Sequence, residues 1–160
     1  MEEIKKLSKK EALAAAMKLC SKEEKCTHDI LIKFRNWDLS EDELKEMIEY
    51  LKTNKFIDET RYVIAFTKDK FSFFHWGKIK IEHELKQKKI PADIIRKGLD
   101  MIDEKEYKNR IKEEMIKKLK SIHSRSDYEI KGKLYRFAAG KGFESDIIYS
   151  VLDEIIDSEK

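Results

Sequence analysis

The chain has 160 residues, of which 42% are charged and 41% hydrophobic, and its net charge is +3. With one proline and five glycines it lacks the turn residues of a β-rich fold, so the composition favours helices with solvated outer faces. The apolar runs are short, and the start, Met-Glu-Glu-Ile-Lys-Lys, has no apolar core. We therefore expect no signal peptide and no membrane span, and we predict a cytoplasmic location.

One apolar spacing recurs three times, with copies 51 and then 53 residues apart. The three sets are Ile30, Phe34, Leu39, Leu44, Ile48, Leu51; Ile81, Leu85, Ile90, Ile95, Leu99, Ile102; and Leu134, Ala138, Phe143, Ile148, Leu152, Ile155. A period of about fifty residues is typical of repeat proteins. We therefore predict an all-α chain of three tandem three-helix units, each a small local bundle, in an elongated, curved array with boundaries at 1–57, 58–103 and 104–160.

The first unit, 1–57, has three amphipathic stretches. Ser8 with Glu11 forms a capping-box pattern before a helix that runs to about Cys20. Thr27 or Asp29 opens a second helix that ends near Trp37. A second capping-box pattern, at Ser40 and Glu43, predicts a third helix over about 41–53.

In the middle unit, 58–103, Asp58 is an N-cap residue for the fourth helix, which carries Tyr62 and Phe66. The fifth helix is predicted over about 77–88. Pro91 is placed at the start of the sixth helix, where its missing N–H costs nothing.

The third unit, 104–160, begins with the longest and most charged helix, predicted over about 104–120. Ser126 with Glu129 predicts the cap of the next helix. Gly142 is suited to the left-handed turn that ends this helix before Phe143 and the ninth helix.

Positive charge is concentrated in the middle unit. The segment 61–97 has ten Lys or Arg against four Asp or Glu, whereas the remainder has 25 against 28. Such a distribution fits a polyanionic partner, either nucleic acid or an acidic protein groove, although a solvated lysine-rich helix face accounts for it equally well.

Catalytic and metal-binding patterns are missing from the sequence. There is no glycine-rich phosphate loop, His-Glu-x-x-His motif or nucleophile elbow. Cys20, Cys26 and His28 lack a fourth ligand at zinc spacing, and the two cysteines are too few for a disulfide framework. Because His75 and His83 have no orienting partner in the pattern, we predict a protein that is not an enzyme.

The middle unit carries a specific motif. Asp58-Glu-Thr-Arg61-Tyr62 is followed by Gly77-Lys-Ile-Lys-Ile-Glu-His-Glu-Leu85, then by Lys-x-Ile before Pro91, and Lys141-Gly142-Phe143 repeats the final joint in the third unit. These residues resemble the RecX family, bacterial regulators of the RecA recombinase. The glycine usual at the joint is replaced by Lys89 in the middle unit and Asp38 in the first, which puts the turns there in question.

The resemblance implies a monomeric protein that binds RecA filaments in their helical groove and inhibits strand exchange, ATP hydrolysis and coprotease activity, and so regulates DNA repair and the SOS response. It implies no cofactor. From the residues themselves we expect a basic face on the fourth and fifth helices that contacts RecA or the phosphates of single- or double-stranded DNA. Its predicted members are Arg61, Lys68, Lys70, Lys78, Lys80, Lys86 and Lys88.

Other interpretations of the same residues stay open. Arg61 is as suited to an ion pair with Asp58 or Glu59 as to a partner contact. Phe74 and Trp76 are expected in the core. The whole chain also fits an autonomous DNA-binding regulator with helix-turn-helix-like units, or a helical-repeat scaffold for another protein.

Overall fold

A computed structural model of the chain describes residues 8–159. The described part is helical and contains no strand. Its helices are α1 Lys9–Lys22, α2 Thr27–Phe34, α3 Glu41–Thr53, α4 Glu59–Ser72, α5 Lys78–Gln87, α6 Ala92–Leu99, α7 Glu104–Lys120, α8 Asp127–Gly140 and α9 Ser145–Glu159. The predicted all-α class, built as three tandem three-helix units, is confirmed. The boundaries at 1–57, 58–103 and 104–160 stay a prediction.

Local side-chain chemistry explains where five of the helices begin, including α7, where the Asp103 carboxylate accepts the Glu106 backbone N–H at 2.9 Å. The side chains of Ser8, Ser40, Asp58 and Ser126 each accept a backbone N–H from the first turn of the following helix, as predicted. Such a cap satisfies one of the amides that a helix leaves without an internal partner.

Three boundaries differ from the prediction. Cys26 is the N-cap residue of α2, and its backbone N–H donates to Asp29 Oδ2 at 3.3 Å. The same helix ends at Phe34 rather than near Trp37, whose N–H turns back onto the Phe34 carbonyl. Pro91 lies one position before α6, where its extended backbone makes it the cap.

The threefold apolar spacing forms the interior. Of its eighteen positions, fifteen are buried, and Leu39, Leu44 and Ile102 are half-buried. Transfer of this apolar surface out of water is the main force that holds each unit's helices together.

Each unit packs its own helices together, as predicted, and the second and third units also pack against each other. The first unit has its own core, built around Ile30, Phe34 and Leu51, whereas the middle and third units share a single core. Aromatic rings bridge the shared core, because the Tyr107 ring lies 5.8 Å from Phe71 and 4.8 Å from Phe143 between centroids. These contacts join residues that no short-range periodicity connects.

The joint between the second and third helices of each unit is made in two ways. Gly142 has φ +95° and Lys89 has φ +60°, so the middle unit keeps the left-handed turn although it lacks the glycine. In the first unit Asp38 does not adopt positive φ, and the Leu39 N–H instead bonds to the Trp37 carbonyl.

Candidate partner-binding surface

Arg61 connects the first unit to the middle unit. Its Nε donates to Glu24, and its Nη2 donates to the carbonyls of Lys55 and Phe56 at 3.0 and 3.3 Å. The hydrogen bond with Glu24 raises the pKa of Arg61. Arg61 thus forms an ion pair, as one of the two interpretations proposed, but with Glu24 rather than with Asp58 or Glu59.

Lys88 is held between units in the same way. Its Nζ donates to Asp29 Oδ1 at 2.7 Å and lies 5.6 Å from the centre of the Tyr62 ring. Burial would lower the pKa of Lys88, but its hydrogen bonds with Asp29 and Tyr62 outweigh that effect and raise it. Nearby, the Thr27 backbone N–H and hydroxyl both donate to Glu59 Oε1, at 2.8 and 3.0 Å. The junction of the first two units is thus polar, and Lys88 belongs to it.

Two of the predicted lysines meet where α4 turns into α5. The Lys70 Nζ lies 4.5 Å from the Phe74 ring centre and 5.0 Å from that of Trp76, and the Lys80 Nζ lies 4.5 Å from Trp76. The Lys70 Nζ also lies 5.4 Å from the ring centre of Phe66. Cations so placed are attracted by the negative faces of the rings. We call Lys70, Phe74, Trp76 and Lys80 the α4–α5 corner.

The corner exposes more apolar surface than the sequence indicates. Phe74 is 55% exposed, so its expected burial is wrong, whereas Trp76 is half-buried and packs against the shared core as expected. Neighbouring Phe73 and Ile79 are 74% and 53% exposed. Exposed groups of large apolar side chains rimmed by polar residues are typical of interaction surfaces.

The positions of the remaining predicted lysines divide the basic face. Lys68 is exposed on α4 and lines a cleft with Gly98 and Glu106, so it lies on a different side of the helix from Lys70. Lys86 is exposed on α5 and pairs with Glu82 at 2.9 Å, one turn earlier. Lys78 extends its Nζ to 4.9 Å from the Tyr107 ring centre of the third unit. The seven predicted residues therefore do not form one continuous stripe.

The third unit caps α5. Three backbone amides at the start of α5, including that of its N-cap residue Gly77, donate to the third unit. The Gly77 N–H donates to the Lys141 carbonyl at 2.7 Å, the Lys78 N–H to the Tyr107 hydroxyl oxygen at 2.9 Å, and the Ile79 N–H to the Gly142 carbonyl at 2.9 Å. The Tyr107 hydroxyl itself donates to Glu144. This junction fixes the direction in which α5 presents Lys80.

The close approach of two glycines makes this capping possible. A Cβ added to Gly77 would lie 2.3 Å from the backbone of Gly142, and one added to Gly142 would lie 2.4 Å from Lys80 Cβ. The sequence predicts a turn at Gly142 but not its contact with Gly77. A clue to this contact was present in the sequence: only five glycines occur in the chain, and two of them, Gly77 and Gly142, lie within the RecX-like motif segments.

The other chemically notable side chains have structural surroundings. Burial raises the pKa of the Cys26 thiol to about 11, which keeps it protonated at neutral pH. His75 Nε2 lies 3.7 Å from Glu114 of α7, and His83 Nε2 lies 3.1 Å from the Gln87 side-chain amide. Within residues 8–159, no helix has the length and apolarity to cross a bilayer.

Comparison with known proteins agrees with the helical units. Residues 58–99 match the family model for the second three-helix domain of RecX, and 105–152 match that for the third. The regulatory protein RecX of Clostridium botulinum strain Eklund 17B is 34% identical over 99% of this chain and 76% of its own length.

Solved structures share the fold. The crystal structure of RecX from Lactobacillus salivarius has a TM-score of 0.81 at 22% identity and covers 91% of this chain and 95% of its own. Another, described as regulatory protein RecX, has a TM-score of 0.83 at 19% identity and covers 91% of this chain and 73% of its own. Because two family models match most of its middle and third units and a relative is similar along nearly its whole length, the chain belongs to the RecX family of regulatory proteins.

Proposed function

We propose that this protein is a cytoplasmic, monomeric regulator that binds RecA filaments assembled on DNA and inhibits their recombinase, ATPase and coprotease activities. Membership of a family of regulatory proteins carries this proposal. RecA is the partner that the RecX resemblance of the motif at 58–91 implies. No catalytic step and no cofactor is required of this chain, because the regulated chemistry belongs to the partner.

The α4–α5 corner is the part of the predicted basic face that we assign to the filament contact. It combines an exposed ring, Phe74, with two lysines held over aromatic rings. Lysines already positioned in this way lose less conformational freedom on binding than free ones. Their charge complements DNA phosphates or an acidic protein surface.

Five of the seven predicted residues fall outside this assignment, including Lys78, whose Nζ lies over the Tyr107 ring of the third unit. Arg61 and Lys88 are engaged with Glu24 and Asp29, and a partner would have to break these contacts to use them. Lys68 and Lys86 are exposed but lie apart from the corner, which makes them matched controls.

The experiment follows ATP hydrolysis and strand exchange by RecA on single-stranded DNA. The wild-type chain should inhibit both at stoichiometric ratios. The triple variant Lys70→Gln/Phe74→Ala/Lys80→Gln should need at least about tenfold more protein, equivalent to a loss of about 1.4 kcal/mol in binding. Lys68→Gln/Lys86→Gln removes the same charge from the same unit and should inhibit like the wild type.

Two outcomes would overturn parts of the proposal. If the wild type does not inhibit at stoichiometric ratios, or instead binds one particular duplex tightly without RecA, the filament function is wrong. If the control variant loses inhibition while the corner variant retains it, the function stands but the assigned surface is wrong. Far-UV circular dichroism verifies that each variant keeps its helicity.

A further inference from the structure

The third unit has an open groove between α8 and α9 that the filament proposal does not use. Its volume is 710 Å³, and three tyrosines line it, Tyr128, Tyr135 and Tyr149. Tyr128 is 88% exposed and Tyr149 58% exposed, so both rings offer accessible faces to solvent. Leu152 is buried and lies at the base of the groove. We refer to this feature as the α8–α9 groove.

Two of the tyrosines are already ordered as a platform. The rings of Tyr135 and Tyr149 lie 5.2 Å apart between centroids at an interplanar angle of 32°, and the Tyr135 hydroxyl hydrogen-bonds with Ser145 Oγ at 2.7 Å. Tyr128 and Tyr135 are two helical turns apart on α8, with Gly132 between them. Gly132 has no side chain, and the Arg136 guanidinium lies beside it, with Nη1 3.3 Å from where a Cβ would be.

Cations run alongside the rings. Lys131, Lys133 and Arg136 line the groove, and within residues 8–159 none of the three forms an ion pair. Two carboxylates also line it, Glu129 and Asp153.

A second cleft adjoins the groove along the same ridge of α8. Lys133 and Arg136 line both clefts, and the second adds Lys118 and His123 without a carboxylate. Glu129 is drawn towards the loop before α8, where it accepts a hydrogen bond from Ser124 Oγ at 2.7 Å. Lys133 and Arg136 therefore place positive charge on α8 between the tyrosine-lined groove and the second cleft.

We propose that the α8–α9 groove binds single-stranded nucleic acid, with bases on the Tyr128 and Tyr149 rings and phosphates on Lys133 and Arg136. Single strands combine separated bases with a regular series of charges, and proteins bind them by stacking bases on aromatic rings beside a cationic track. A duplex keeps its bases stacked and is read by elements that protrude into its grooves, whereas this site is concave. Exposed tyrosine rings beside Lys133 and Arg136 fit a single strand better than an acidic peptide, which lacks a regular series of bases to stack.

The test uses the full-length chain without RecA and a fluorescein-labelled dT oligonucleotide, with fluorescence anisotropy as the readout. Tyr128→Ala/Tyr149→Ala should weaken binding about tenfold or more, since loss of stacked bases is costly. Tyr128→Phe/Tyr149→Phe should bind like the wild type because phenylalanine preserves the ring faces.

The charge contribution is measured separately through salt. Lys133→Gln/Arg136→Gln should make the slope of log affinity against log salt shallower by about 1.4, corresponding to two lost contacts with single-strand phosphates. Lys45→Gln/Lys52→Gln removes the same charge from exposed positions of α3 and should leave the slope unchanged.

The proposal is overturned if the wild type does not bind the oligonucleotide at about 50 mM salt, if the alanine variant binds as tightly as the wild type, or if the control changes the slope as much. It is also overturned if the tyrosines prove necessary for binding DNA-free RecA but not the oligonucleotide, which would make the groove a protein interface. RecA is absent from the oligonucleotide assay, so a negative result there does not contradict the filament proposal. Likewise, a failure to inhibit RecA would not contradict binding of single strands by the groove.

Discussion

Replacement of Gly142 by alanine should strongly destabilise the core shared by the middle and third units. Gly142 has φ +95°, a conformation that costs an L residue about 1–3 kcal/mol. The new Cβ would also lie 2.4 Å from Lys80 Cβ and 2.6 Å from its backbone nitrogen, so the loop must withdraw from α5. Withdrawal breaks the hydrogen bonds from Gly77 and Ile79, which contribute about 0.5–1.5 kcal/mol each. The expected loss is about 2–6 kcal/mol.

Gly140 provides the control for this variant, two residues earlier in the same helix end. An added Cβ there meets nothing within 4 Å, and the residue is helical, so Gly140→Ala should be neutral or stabilising by up to about 1 kcal/mol. Both variants therefore add the same methyl group to the same segment. They differ in backbone conformation and in contact with α5.

Urea unfolding in a Trp37→Phe background is the measurement. The chain has two tryptophans, so this background leaves Trp76, beside the junction, as the sole tryptophan reporter. The first unit has a separate core and can unfold independently of the other two. Because Trp76 lies in the middle unit, its fluorescence reports unfolding of the shared core rather than of the first unit. If Gly142→Ala unfolds within about 0.5 kcal/mol of the background protein, the reasoning about the glycine junction is refuted.

Three further predictions concern the other junctions and turns. Burial raises the pKa of Asp29, but the hydrogen bond and charge of Lys88 outweigh burial, so the pKa in the folded protein is lower than 3.8, the value in the unfolded chain. The ionised Asp29 should therefore stabilise the fold fully at neutral pH, and this stabilisation should be lost as the pH falls below 3.8. Lys88→Met should abolish this loss of stability at acid pH, as measured by urea unfolding at a series of pH values. Lys89→Gly should stabilise the chain by about 0.5–1 kcal/mol in thermal unfolding by relieving φ +60°, and an unchanged midpoint would contradict this. Tyr107→Phe should destabilise by about 1–3 kcal/mol in urea unfolding, because it leaves the Lys78 amide without its acceptor; no loss would show that water replaces the hydroxyl.

Much of the helical organisation was predictable from the sequence because it depends on local chemistry. The caps at Ser40 and Asp58 involve residues three apart, and each copy of the apolar spacing spans only about twenty residues. The left-handed turn at Gly142 was likewise indicated by residue type. These features require no knowledge of distant contacts.

The surface was less predictable because contacts between units decide which charges are free. Arg61 and Lys88 look like their lysine and arginine neighbours in the sequence, yet partners in the first unit engage both. Phe74 is a residue type usually found in cores, but it follows the end of α4 and its side chain is exposed. The tyrosine groove of the third unit was missed because its rings come from two helices and assemble only in the fold.

The dependence of α5 on the Lys141–Gly142 backbone sets an order of events during synthesis of the chain. The middle unit leaves the ribosome with the amides of Gly77 and Ile79 facing water, because their acceptors are translated much later. Domains generally fold as they emerge, but this one acquires its final cap only when the α8–α9 joint arrives. A chain arrested before Gly142 would therefore carry the RecX motif in an incompletely fixed helix, and quality-control proteases would meet it in that state.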